Sequence, residues 1–291
     1  MFEKLDECPS CGHPKFANHL ICTDHSISGD SFALVKCDKC QLVFTNPRPT
    51  SENISVYYES DQYISHSNKS LSPVQFAYKL VRRFTLKQKS KLLKSLSPKG
   101  SLLLDYGAGT GHFLKFMKSQ GWQVSGVEPN AKARKIAESQ LNSPLSNSIE
   151  SQNDLYDIIT AWHVIEHVHD LTRTLKELTK RLSKNGHLVI AVPNINSFDA
   201  DHYGSHWAAY DVPRHLYHFS QSSFEKLISS HKFKIKETIP MKFDAFYVSL
   251  LSEKYLSGSS NYFSAIKTAM KSNKLAKTTG EYSSLIYILK K

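Results

Sequence analysis

Two hydrophobic periods follow one another along this chain, and they change over near residue 100. Upstream, "VQFAYKLVRRFTLKQKSKLLKSL" carries apolar side chains at Ala77, Leu80, Val81, Phe84, Leu92, Leu93 and Leu96. Spacings of three and four line them up on one stripe, which predicts an amphipathic helix or two in line. From Ser101, short apolar runs alternate with helical patterns. "SLLLDY" precedes "HFLKFMKSQ", which Gly121 stops, and "WQVSGVE" precedes "AKARKIAESQL". "YDIITAWH" precedes "DLTRTLKELTKRLS", and "HLVIAVP" follows. Asp170 is placed to cap the last of these helices and Asn185-Gly186 to end it. Ser222 and Glu225 predict a capping box opening "FEKLISSH". "FKIKETI" and "SSLIYIL" are the final strand candidates, with about 45 residues between them, too many for a hairpin loop.

Strands that are apolar along their length and alternate with helices imply an α/β, doubly wound parallel sheet. The expected organisation has three parts. Residues 1–46 hold short strand-like runs and most of the chemistry-bearing sulfur. Residues 47–99 form a helical cover, and residues 100–291 form the sheet domain, with a helical insertion at about 245–280.

Composition narrows the class. The chain has 291 residues and is 40% hydrophobic, enough for a sizeable core. No apolar run is long enough to predict a membrane span. The start, "MFEKLDECPSCG", lacks the apolar stretch of a secretory signal, so a cytoplasmic location is expected. A net charge of +11 admits an acidic small substrate or nucleic acid. The excess is uneven: residues 69–99 hold nine Lys or Arg and no acid.

Four of the five cysteines form two Cys-x-x-Cys pairs, Cys8/Cys11 and Cys37/Cys40, separated by 25 residues. Such knuckles converge on one tetrahedral Zn²⁺, and four thiolates close its sphere, so a structural zinc is expected. Two disulfides or an iron–sulfur cluster are the alternatives, and a reducing compartment disfavours the first. Cys22, His13, His19 and His25 read as loop residues between the knuckles.

The most specific stretch is "LLLDYGAGTGHF", Leu102–Phe113. A strand, a glycine turn and a helix form the usual cradle of a nucleotide-like ligand. The dinucleotide fingerprint needs its third glycine where His112 stands; here the glycines are Gly107, Gly109 and Gly111. No Lys-Ser or Lys-Thr follows, which excludes a phosphate-binding loop. Asp105 at the strand end would repel a pyrophosphate. It suits instead a ligand carrying an ammonium and a sulfonium, as S-adenosylmethionine (SAM) does. Glu128 ends the next strand, where a carboxylate can accept from both ribose hydroxyls.

"LLLDYGAGTG", "VSGVEP", "YDIITAWHVIEHVHD" and "RLSKNGHLVIAVPN" together resemble the motifs of class I SAM-dependent methyltransferases, in the broad group that includes ubiquinone O-methyltransferase-like proteins. The resemblance covers about residues 95–240 and is specific for SAM rather than for an acceptor. It implies a Rossmann-like, seven-stranded sheet with SAM as cofactor. It implies that Asp105, Gly107 and Gly109 contact the methionine part, that Glu128 holds the ribose, and that His163 lies beside SAM. Tyr106, Ala108, Gly111 and Pro129 complete the expected cofactor-binding set. An acidic residue after the third strand often lies by adenine, and Ile149 or Glu150 is the candidate.

Methyl transfer is an in-line displacement that needs an aligned nucleophile and often a base. Trp162 and His163 end a strand; Glu166, read as a cap, and His167 open the next helix. Residues 199–220 concentrate His202, His206, Trp207, Tyr210, Asp211, Arg214, His215 and His218 in a loop expected to line the acceptor pocket. The candidate catalytic residues are His163, His206, His215 and Asp211. Tyr63 and His66 are candidates to close over SAM. No H-E-x-x-H motif or carboxylate cluster points to metal-assisted chemistry. The absence of an N/D-P-P-Y/F motif lowers methylation of base amines. The expected function is methyl transfer to a hydroxyl, or a carbon, of a small molecule. An RNA methyltransferase using the zinc ribbon and basic helix is the alternative, followed by a non-catalytic interaction protein.

Overall fold

A computed structural model describes residues 1–58, 73–97, 102–259 and 261–291. The strands are β1 (Phe2–Glu3), β2 (Phe16–Thr23), β3 (Ser31–Cys37), β4 (Val43–Thr45), β5 (Arg48–Pro49), β6 (Leu102–Tyr106), β7 (Gln123–Val127), β8 (Tyr156–Trp162), β9 (Leu182–Pro193), β10 (Tyr217–His218), β11 (Lys234–Pro240) and β12 (Ser284–Lys290). The helices are α1 (Pro73–Leu96), α2 (His112–Ser119), α3 (Ala131–Leu141), α4 (Leu171–Arg181), α5 (Phe198–Tyr203), α6 (Gln221–Ser230), α7 (Asp244–Ser257) and α8 (Tyr262–Thr279). The chain divides into two compact units. One comprises residues 61–162, 174–189 and 290–291, and the other residues 1–60, 163–173 and 190–289.

Six strands hydrogen-bond in the order β11-β12-β9-β8-β6-β7. β6 is parallel to both neighbours, with Leu104 opposite Ser125 of β7 and Ile159 of β8. β8 and β9 are buried almost throughout, as an apolar run covered on both faces requires. The expected α/β sheet is therefore present, with six strands among the described residues rather than seven. The missing strand is reduced to a single parallel bridge between Val127 and Ser146, because the polar run 142–148 offers no apolar face.

The unit that contains the N-terminus has a four-stranded antiparallel sheet, β10-β4-β3-β2. Its edge strand β10 comes from far along the chain, pairing Tyr217 with Phe44 and His218 with Val43. Leu34, Val43, Trp207 and Tyr210 pack in one buried cluster. His19 and Cys22 lie on β2, not in a loop, and Cys22 is buried in that core.

Several local expectations change. The capping box forms at Ser220 and Ser223, two residues earlier than Ser222 and Glu225, because Ser220 is the last extended residue before the helix. Asp170 does accept from the Arg173 N–H, but α4 ends at Arg181. β9 then runs straight through Asn185-Gly186, where a Cβ on Gly186 would come within 3.0 Å of the Asp157 carbonyl oxygen. On α1, Leu93 is buried whereas Val81 and Phe84 are exposed. Tyr63 and His66 lie outside the described residues. No described helix is long and apolar enough to cross a membrane.

Candidate cofactor site and candidate acceptor site

Apart from His163, the cofactor candidates fall in one unit, around the turn from β6 to α2. Gly109 and Gly111 have φ of +54° and +80°, backbone that disfavours any side chain. A Cβ on Gly111 would also lie 2.8 Å from that of Ala137, so this glycine lets α2 pack on α3. The Gly107 and Ala108 N–H groups both donate to the Val127 carbonyl, at 2.8 and 2.9 Å. Glu128 fastens the turn from the end of β7: its Oε2 accepts from Gly109 N at 2.7 Å and its Oε1 from Asn130 N at 2.8 Å. A carboxylate has about four acceptor positions, so lone pairs remain for ribose hydroxyls. Pro129 is exposed, Tyr106 is partly buried, Ile149 is buried on a short 3₁₀ turn and Glu150 is exposed.

Asp105 is buried at the end of β6, with 3% of its surface exposed. Its Oδ1 accepts from Thr160 Oγ1 at 2.6 Å. Burial raises its carboxyl to about 7, against the pull of the Thr160 hydroxyl and the Lys89 ammonium. Lys89 Nζ stands 4.0 Å from the centre of the Trp162 ring, and Phe113 packs edge-on to that ring at 5.6 Å. Trp162 Nε1 is buried without a partner. The Trp162 face thus already carries a cation, and the costly buried carboxylate is the feature that suits a cationic ligand. Lys89 and Thr160 were not singled out in the sequence; a polar residue inside the apolar run "YDIITAW" was the available signal.

The acceptor candidates fall in the other unit. His163 has φ of +55° and stands between two carboxylates, with Nδ1 3.3 Å from Glu166 Oε1 and Nε2 3.1 Å from Asp244 Oδ2. Burial opposes its charge, but these carboxylates outweigh it and raise the imidazole to about 10. Glu166 is no helix cap. It lies on a 3₁₀ turn, Ile165–His167, ahead of α4, and is fully buried with Oε2 unpartnered. His167 Nδ1 lies 3.0 Å from the Arg214 carbonyl and 3.0 Å from the Tyr58 hydroxyl. His215 Nδ1 lies 2.8 Å from the Ala209 carbonyl, and the rings of His167 and His215 meet edge to face at 4.5 Å.

The histidine-rich loop divides. Asp211 and His215 join Glu166 and His167, whereas His206 stacks on His25 and His218 is buried against Thr45. Arg214 is a brace: fully buried, it donates to Asp211 at 2.6 Å, to Asp24 at 3.0 Å and to the Tyr57 carbonyl at 3.0 Å. Burial pushes Asp211 up, but the guanidinium outweighs it and holds the carboxyl below its usual value.

The four knuckle cysteines converge. Cys8 and Cys40 Sγ are 3.5 Å apart, Cys11 and Cys37 Sγ 3.7 Å apart, and all four form one group. A tetrahedron with Zn–S bonds of ~2.3 Å has edges of about 3.8 Å, so this set fits the ion.

Residues 79–238 match the methyltransferase domain family, more than half of the chain, and the chain belongs to that family. Among curated relatives, the ubiquinone biosynthesis O-methyltransferase of Pelagibacter ubique is 26% identical over 43% of this chain and 55% of its own length. That of Bradyrhizobium diazoefficiens is 28% identical over 43% and 53%. The chain thus spans about half the length of these relatives. Among solved structures, magnesium protoporphyrin IX methyltransferase from Synechocystis PCC 6803 with bound SAH aligns at a TM-score of 0.52, with 15% identity, over 81% of this chain and 97% of that one. The plantazolicin methyltransferase BpumL with SAH aligns at 0.50, with 15% identity, over 80% and 92%. Both share its fold.

Proposed function

We propose that this protein is a SAM-dependent methyltransferase that transfers a methyl group to a hydroxyl of a small molecule, with carbon as the second acceptor class. The observation that carries the reading is the Asp105 carboxylate, buried at the mouth of a glycine turn that Glu128 fastens. A buried carboxylate is costly, Thr160 and Lys89 offset only part of that cost, and the ammonium and sulfonium of SAM are charges that would offset the rest. Membership of the methyltransferase domain family and the resemblance to ubiquinone biosynthesis O-methyltransferases support the same reading. In the reaction the S–CH₃ bond breaks as the O–CH₃ bond forms, leaving SAH, and the hydroxyl proton passes to a base.

Of the four base candidates, Asp211 is tied to Arg214, His206 stacks on His25, and both ring nitrogens of His163 face carboxylates. The acceptor's proton is therefore assigned to the neighbourhood of His215, whose Nδ1 is committed to a backbone carbonyl. The cysteine group is assigned a structural Zn²⁺ held by Cys8, Cys11, Cys37 and Cys40. The test is transfer from isotopically labelled SAM to fractionated host metabolites and to host RNA in parallel. Label in small molecules is expected. Label in RNA alone would move the acceptor to nucleic acid, and label in neither would refute the activity.

A further inference from the structure

We infer that α8 is a docking surface for an anionic lipid bilayer, lying on the membrane rather than across it. The helix has 18 residues and buries one face made of small side chains, Ala265, Thr268, Ala269, Ser272 and Ala276. Ser272 Oγ donates to Asp199 Oδ1 at 2.6 Å and fastens that face to the protein. The opposite side is apolar where a solvated helix would be polar. Phe263 is 81% exposed, Met270 60%, Tyr262 56% and Ile266 51%. Phe263, Ile266 and Met270 recur at i, i+3 and i+7, so they form one stripe rather than scattered surface residues. Leu256, at the end of α7, is exposed as well.

Charge selects the occupant of this face. Residues 254–280 carry Lys254, Lys267, Lys271, Lys274 and Lys277 and no Asp or Glu. Lys267, Lys271 and Lys274 recur at i, i+4 and i+7, which sets a cationic stripe alongside the apolar one. Lys271 Nζ stands 4.5 Å from the centre of the Phe198 ring; the other three lysines of the helix are exposed. A second copy of the same face would bring like charges together. A nucleic acid would answer the lysines but leave Ile266 and Met270 in water. An anionic bilayer answers both stripes at once: its phosphates meet the lysines, and its acyl boundary takes the apolar side chains.

The dimensions suit a helix lying in the interface. At a rise of 1.5 Å per residue, α8 is about 27 Å long. Its apolar stripe can enter the head-group boundary while the long lysine stems reach back to the phosphates. No described helix is long and apolar enough to cross a membrane, so the binding is peripheral. The helix is also preformed. Asn261 Oδ1 caps it by accepting from the Ser264 N–H at 3.1 Å, and Asn273 Nδ2 donates to the Lys242 carbonyl at 2.9 Å. Docking therefore bears little of the ordering cost that an unfolded segment would carry. The inference needs neither SAM nor an acceptor and stands apart from the proposed function.

The experiment is co-sedimentation of the full-length, zinc-loaded protein with vesicles of phosphatidylcholine, alone or mixed with phosphatidylglycerol. Binding is expected to the anionic vesicles only, and should fall steeply between about 0.1 and 1 M salt, as the Debye length shrinks from ~10 to ~3 Å. A lysine near the surface contributes about fivefold, so Lys267→Gln, Lys274→Gln and Lys277→Gln together should weaken partitioning on the order of 100-fold. Phe263→Ser should weaken it by about tenfold or more. All four side chains are exposed, so these variants should fold as the parent does. Removing three exposed lysines elsewhere, with Lys115→Gln, Lys132→Gln and Lys135→Gln, should change partitioning by less than about threefold. Equal binding to neutral vesicles, an equal loss in the two triple variants, or a Phe263→Ser variant that binds like the parent would each overturn the surface. So would absence of vesicle binding together with a dimer that Phe263→Ser dissociates. Vesicle binding without any methyl transfer would sustain the surface and refute only the proposed function.

Discussion

Replacing Asp105 by Asn tests the cofactor assignment and separates binding from folding. The carboxyl lies near 3.8 in an unfolded chain and about 7 in the folded, ligand-free protein, chiefly through burial. SAM is held by the ionised form. Between pH 8 and pH 5.5 the ionised fraction of such a group falls from about 90% to about 3%, so affinity should drop about 30-fold, or ~2 kcal/mol. The logarithm of Kd should therefore rise by about one per pH unit below 7 and be flat above it. Isothermal titration of SAM across this range measures the slope, and the heat in buffers of different ionisation enthalpy counts the proton released. In the Asn variant the slope should vanish and affinity at pH 8 should fall well over tenfold, because a buried charge partner is gone.

Stability must move the other way. A folded value above the unfolded one means that the wild-type protein loses stability as pH rises from about 4 to about 7, where the buried carboxylate must ionise. The difference of about three units corresponds to ~4 kcal/mol at most. Without SAM, the Asn variant should therefore be more stable than wild type at pH 8, and the gap should close near pH 4. Denaturant unfolding at both pH values reads this directly. The amide oxygen still accepts from Thr160 Oγ1, so the local hydrogen bond survives. Wild-type affinity independent of pH, or an Asn variant that binds SAM as well as wild type, would refute the reasoning.

Three further predictions follow from other parts of the molecule. Gly111→Ala places a Cβ 2.8 Å from that of Ala137 at a φ of +80°, so a loss of roughly 1–3 kcal/mol is expected by denaturant unfolding, and no loss would show that α2 and α3 separate freely. Arg214→Met leaves Asp24 and Asp211 without their cation and should cost about 3–5 kcal/mol; adding Asp24→Asn and Asp211→Asn should recover much of it, and a neutral single change would sink the brace. Stripping metal with a strong chelator should melt the N-terminal sheet, measured as rapid amide exchange on β2 and β3, with protection restored by one equivalent of Zn²⁺. Unchanged protection would remove the zinc from any structural role.

What could be read in the sequence depended on how much chain a feature spans. Asp105, the glycine turn and Glu128 lie within one strand–helix–strand stretch, whose backbone alone sets their geometry, so their meeting at one turn could be read from spacing. The knuckle cysteines were identifiable for the same reason, with two residues between the members of each pair. The Glu166–His167–His215 group was not. Glu166 read as a cap because a carboxylate at a helix start usually is one, and only the arrival of the Ala208–Tyr210 turn and Arg214 orients the two imidazoles. The edge strand β10 was hidden likewise, since two residues carry no period and its partner Val43–Thr45 lies some 170 residues earlier. The expected seventh strand erred in the opposite direction: family resemblance supplied it, but residues 142–148 lack the apolar face that would hold it in a sheet. Local periodicity thus reports the scaffold and any site confined to one βα unit. A site assembled from two distant loops is decided by their packing, which is why the buried, unpartnered oxygen of Glu166 carries more information about chemistry than any motif around it.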